Sequence, residues 1–181
     1  NIDELKRGGA RKVVFSPKSY DPHTHRPLTL SDQELFQYGA DVSFVGTFES
    51  ARAESMKYLA DNGVPVRIWG SNWKMNAPAA PNFVVEGEPV YGDDYARVVN
   101  ATRVNLCFLR KMFRDKQTAR SVEIPACGGF MLAERTDEHL GLFEEDGEAA
   151  YFANDVELLE KVHYYLEHEE ERKNIAQAAR Q

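Results

Sequence analysis

From Asp41 onward the chain alternates short apolar runs with longer stretches patterned for helices, and this alternation restricts the possible fold more than any other feature. Val42-Ser43-Phe44-Val45, Val66–Trp69, Val104–Leu109, Phe130–Ala133 and Ala149–Phe152 are too short for helices and rich in β-branched and aromatic residues, so each reads as a strand. Between them the pattern predicts helices. Ser50 caps one over Ala51–Asn62, with Met56, Leu59 and Ala60 on one face and Gly63 as its stop. Tyr91-Gly92 opens a second, running to about Ala101, and a third covers about Thr118–Cys127 before Gly128-Gly129. Asn154 caps another, with Glu157 in capping-box position, and a last one runs from about Glu169 to Ala179. Strand, helix, strand at this spacing means an α/β, Rossmann-like three-layer domain, with a parallel sheet between helices and right-handed crossovers. Ligands of such sheets bind at the carboxyl ends of the strands, which nominates the loops after Val45, Trp69, Leu109 and Ala133.

The flanking segments are less regular. Residues 1–38 read as a lead-in or wrapping arm, with a short strand over Arg11–Phe15 and with Pro17, Pro22 and Pro27 discouraging regular structure. The domain proper is expected over 39–181, and 71–88, with Pro78 and Pro81, reads as loop. A chain beginning at Asn1 is expected to be part of a longer polypeptide.

Charge narrows the function classes. The formal net charge of −7 opposes non-specific binding to nucleic acid or anionic membrane. No apolar run approaches the roughly 18 residues of a membrane span. Cys107 and Cys127 sit in apolar runs without a C-x-x-C pairing, as expected of buried thiols in a reduced, cytoplasmic protein. His23 and His25 beside Asp21 resemble part of a metal site, but no further ligands accompany them, so neither metal nor cofactor is expected.

The four loops carry the candidate chemistry. In the first, Gly46 lets a ligand approach the backbone, Thr47 follows, and Arg52 can face a diphosphate; the alternative is a turn with a surface arginine. In the second, Trp69-Gly70-Ser71-Asn72-Trp73, the indoles either border a base or sugar or belong to the core. The third is the most informative. Thr118 is placed to cap the helix, and Arg120 stands in its first turn, where a cation opposes the macrodipole and a bound anion would rationalise it. Glu123 lies in an apolar stretch, so its carboxylate either accepts from a ribose diol or pairs with Arg120 at i, i+3 spacing. Pro125 removes a donor inside this helix. In the fourth, Thr136 caps a short helix beside a donor or a surface turn.

The segment Asp115-x-x-Thr118-x-Arg120-x-x-Glu123-Ile124-Pro125-Ala126-Cys127-Gly128-Gly129 resembles the signature of group-1-like glycosyltransferases related to spore maturation protein CgeB. Asp41–Thr47, Tyr91-Gly92-x-x-Tyr95, Arg135-Thr136-x-Glu138-His139 and Tyr164-Tyr165-Leu166-x-His168 extend the likeness over about 41–180. The resemblance implies the C-terminal, donor-binding half of a GT-B fold, in which two Rossmann-like domains face each other across a cleft. It implies a nucleoside-diphosphate sugar as donor, net retention, no metal, and a partnering N-terminal domain. In the broader superfamily two acids eight positions apart contact the donor. Here Asp115, an Asp where Glu is usual, would lie near the sugar, and Glu123 would hold the ribose. Arg52 and Arg120 would neutralise the departing diphosphate. A non-catalytic nucleotide-binding or docking module is the alternative. A dehydrogenase is disfavoured, because Gly46-Thr47-Phe48 supplies no G-x-G-x-x-G.

Overall fold

The expected apolar runs become strands, joined by one that the proline-rich segment conceals. The structure, a computed structural model, describes residues 2–14 and 16–180. In chain order the elements are α1 (Ile2–Arg7), α2 (Asp32–Tyr38), β1 (Ala40–Val45), α3 (Ser50–Asp61), β2 (Val66–Trp69), α4 (Trp73–Asn76), β3 (Phe83–Val85), α5 (Gly92–Ala101) and β4 (Thr102–Cys107). After a 3-10 turn at Lys111–Phe113 come α6 (Arg120–Ala126), β5 (Met131–Glu134), α7 (Asp137–Leu140), β6 (Ala150–Phe152), α8 (Asp155–Glu167) and α9 (Glu169–Ala178). The strands form one parallel sheet in the order β3-β2-β1-β4-β5-β6. The chain moves from β1 outward to β3, then crosses back to β4 on the other side of β1. Loops leaving β1 and β4 therefore diverge, and a crevice opens between them at the carboxyl edge.

Burial explains the three layers. Phe44, Met56, Leu59, Trp73, Leu106, Leu158 and Val162 form one apolar cluster, and Tyr95, Val99, Cys107, Ile124, Met131 and Tyr151 another. A fully buried side chain of this size contributes roughly 1.5–3 kcal/mol through removal from water, so both clusters hold helices to the sheet.

Three expectations are corrected. No strand forms over 11–14, and Phe15 lies outside the described residues. The lead-in instead contains α1 and α2. The Ser31 side chain accepts from Glu34 N, and Glu34 Oε2 accepts from Ser31 N at 2.9 Å, a full capping box. Residues 71–88 are not all loop, because Pro78 and Pro81 precede β3 rather than interrupt it. As β3's ladder is extended, Val66 N donates to Asn82 O and Glu86 N to Ile68 O.

Candidate nucleotide site

At the crevice the loops after β1 and β2 are bound to each other by backbone. Gly46 N donates to Trp69 O at 2.8 Å, and Phe48 N to Ser71 O at 3.0 Å. Gly70 has φ +155, and a Cβ there would fall 1.9 Å from Gly46 O. A Cβ on Gly46 would meet the Phe44 ring at 2.6 Å and Arg120 Nη2 at 3.1 Å. Both glycines are thus required by close approach, not only by turn geometry. Trp73 is fully buried against Phe44, Phe48 and Phe83, and its Nε1 donates to Gly46 O at 2.7 Å. It is a core residue that ties down the first loop.

Above these glycines lies a cavity of about 250 Å³ bordered by Gly46, Thr47, Trp69, Gly70, Arg120 and Glu123, with Tyr91, Tyr95 and His25 completing it. Trp69 is buried, and the Arg67 guanidinium lies 4.9 Å from its ring centroid, so only part of the indole borders the space. Arg120 donates to Val45 O and sits 5.8 Å from the Phe44 centroid, with no carboxylate in ion-pair range among the described residues. Glu123 is not locked to Arg120. Its carboxylate, 21% exposed, stands 3.7 Å from His25 Nε2. The fully intrahelical pairing considered for Arg120 and Glu123 is therefore not made.

Arg52, Asp115 and Thr136 border a second cavity, of about 360 Å³, at the ends of β4, β5 and β6. Arg52 is 4% exposed. It donates to Glu49 Oε2 at 2.6 Å, to Leu109 O at 3.1 Å and to Thr47 O at 3.3 Å, while its buried Nε has no partner. Burial lowers its pKa, with Glu49 opposing and Arg120 adding to the fall. The two guanidiniums lie over the same buried Phe44 ring, Arg52 at 5.3 Å and Arg120 at 5.8 Å, and border different cavities. Asp115 accepts from Arg110 Nε at 2.8 Å. Thr136 caps α7 by accepting from His139 N, and donates to Lys116 O.

Thr118 borders neither cavity. The expectation that it caps α6 is corrected: the helix starts at Arg120, with Ala119 at the cap position. The reason is that the Thr118 hydroxyl lies against Cys107 Sγ, at 3.8 Å, instead of accepting from a first-turn amide, while Ser121 Oγ accepts from Thr118 N at 2.9 Å. Ser121 Oγ also lies 2.7 Å from His139 Nε2, and His139 Nδ1 lies 2.6 Å from Glu134 O. A carbonyl only accepts, so Nδ1 carries the proton, and neutral Nε2 accepts from the serine hydroxyl. This fully buried histidine joins the start of α6 to the end of β5. Neither thiol borders either cavity. Both pKa values are raised by burial, that of Cys127 to about 12.

The lead-in reaches the first cavity. Arg26 pairs with Asp93 at 2.9 Å, Leu28 N donates to Asn100 Oδ1 at 3.1 Å, and Tyr38 donates to Asp94 at 3.0 Å. These contacts lay the arm along α5 and bring in His25. Asp21 closes a local turn by accepting from His23 N and Thr24 Oγ1. Among the described residues no group of three or more potential ligands could hold a metal ion. No helix among them is long and apolar enough to cross a membrane.

The sequence profile described as glycosyl transferase-like matches residues 48–181, well over half of the chain. The chain belongs to the glycosyl transferase-like family. No curated protein sequence matches it significantly. Solved structures similar to this glycosyltransferase-like domain include the C-terminal domain of a glycosyl transferase group 1 family protein, LpcC, from Francisella tularensis. That match has a TM-score of 0.70 at 11% identity, covering 90% of this chain and 95% of that one. Anabaena HepE in complex with UDP and glucose gives 0.72 at 13% identity over 98% of this chain and 54% of its own. A sucrose-phosphate synthase from Thermosynechococcus elongatus gives 0.72 at 13%, over 99% and 50%. At these identities the likeness establishes the fold, that of a GT-B C-terminal domain. The chain spans about half the length of the latter two.

Proposed function

We propose that this domain holds the nucleoside diphosphate of a sugar-nucleotide donor and presents its sugar for transfer to an acceptor. One juxtaposition carries the proposal: at the crevice of the sheet, one cavity joins a partly exposed carboxylate, Glu123, to a guanidinium free of carboxylate partners among the described residues, Arg120. A ribose diol donates to carboxylate oxygens, and a diphosphate needs cations and close backbone approach. Gly46, Thr47 and Gly70 supply that approach, and Arg52 adds charge from the second cavity, beside Asp115 and Thr136, where the sugar would lie. The complex of HepE with UDP and glucose supports the same ligand class. The segment from Asp115 to Gly129 supports kinship with CgeB-type transferases, and net retention follows from the superfamily that this resemblance implies. Two arginines in place of a cation favour metal-independent departure of the diphosphate. A second Rossmann-like domain would supply the acceptor side.

Calorimetric titration of the chain with UDP tests this. Binding is expected, unaffected by EDTA, and weakened about tenfold or more by Glu123→Ala and by Arg120→Ala, with melting temperatures unchanged. Absence of binding at millimolar UDP would overturn the assignment, and loss of binding in EDTA would overturn metal independence.

A further inference from the structure

His25 stands ahead of the residues matched by the family profile, yet it borders the cavity beside Glu123. Its ring is oriented by a local turn. Asp21 N donates to His25 Nδ1 at 3.1 Å, while the Asp21 carboxylate is occupied by His23 N and Thr24 Oγ1, each at 2.9 Å. Since Nδ1 accepts, the neutral ring carries its proton on Nε2. That is the atom facing Glu123 Oε1 at 3.7 Å, too far for a direct hydrogen bond. The arm that carries it is held to α5 by Arg26–Asp93 and by Asn100, which bonds Leu28 N and Arg26 O. Tyr95 meets the imidazole edge to face at 5.5 Å, and its own buried hydroxyl has no partner.

A donor N–H and an acceptor carboxylate at this separation complement a hydroxyl, which is at once acceptor and donor. An oxygen set about 2 Å to one side of the line joining them lies within about 2.7–3.0 Å of both. We propose that His25 contacts the ligand: its Nε2–H donates to a ribose hydroxyl whose proton is donated to Glu123, so that the pair reads one hydroxyl of the vicinal diol. The inference rests on the nucleotide assignment above and adds a specificity-determining residue from outside the family-matched segment. The arm thereby becomes part of the binding site.

Long-range proton–nitrogen NMR of the unsubstituted chain, with UDP titrated in, tests the geometry. His25 is expected as the Nε2–H tautomer, with its Nε2 resonance shifting on binding. An Nδ1–H tautomer, or a ring insensitive to bound UDP, would overturn the proposal even where a variant misfolds. In calorimetry His25→Phe is expected to lose about tenfold in UDP affinity, with His25→Gln, which keeps an N–H donor, within about threefold of the parent. Either 2′-deoxy-UDP or 3′-deoxy-UDP is expected to bind the parent more weakly than UDP, and His25→Phe to narrow that gap. Parent-like UDP binding by His25→Phe would reject the contact while leaving the nucleotide site intact. Failure of the parent itself to bind UDP would reject the site and this contact together.

Discussion

His139, which borders neither cavity, bonds the helix that carries Glu123. Buried and neutral, it receives the Ser121 hydroxyl and donates to Glu134 O, and so connects α6 to β5. Desolvation lowers its pKa, with the Glu134 carbonyl partly offsetting the fall. The native state therefore binds fewer protons than the unfolded chain once pH drops below the ordinary imidazole value of about 6.5. Stability contributed by the neutral ring is complete above that value and declines as pH falls from it toward the lowered native pKa. Melting curves from pH 7.5 to 5 are expected to show a steeper loss in the parent than in His139→Gln, whose amide can keep both bonds without titrating. Parallel losses would mean that this histidine does not govern the acid response.

Elements differ in how much of their placement is local, and that decides what the sequence reveals. The cap of α8 is local: Asn154 Oδ1 accepts from Glu157 N at 3.0 Å, as the residue types predict. Asn154→Ala is expected to cost about 1 kcal/mol, read as a shift of the urea midpoint with unchanged slope. The five expected strands, and Gly46 and Gly70 just past two of them, are legible because alternation and strand-end position follow from short-range pattern, whereas Arg120 and Glu123 stand out as charges at the start of α6 and in its apolar run. β3 is not legible: it is as short as β6, but Pro78 and Pro81 just before it mark the stretch as loop, and its side chains are less buried than those of β6. Thr118 has the chemistry of a cap, but its hydroxyl is turned to Cys107 and the helix starts at Arg120. His25 escapes for a different reason. Nothing near it in sequence announces that Arg26 and Leu28 will dock on Asp93 and Asn100. Trp69 and Trp73 carry the same chemistry in sequence, and only packing assigns one to the cavity edge and the other to the core.

At the scale of the whole molecule, arm, α5, α6 and the two glycine loops meet at one cavity, so a ligand there would bridge segments far apart in the chain. Occupancy at a hundred times the dissociation constant adds about 2.7 kcal/mol to stability. In a domain of this size that raises the melting temperature by roughly 5–10 °C. A thermal scan with UDP is expected to show this rise, and Glu123→Ala to lose most of it; an unshifted transition would count against closure of these segments around ligand. The contact between Gly70 and Gly46 O has one more consequence. The floor of the cavity is main chain, too tightly apposed to admit even a methyl group. Exchanging side chains cannot resurface it without prying the two loops apart. Any change in what the cavity admits has to come from its walls, and the arm, anchored on α5, is one of them.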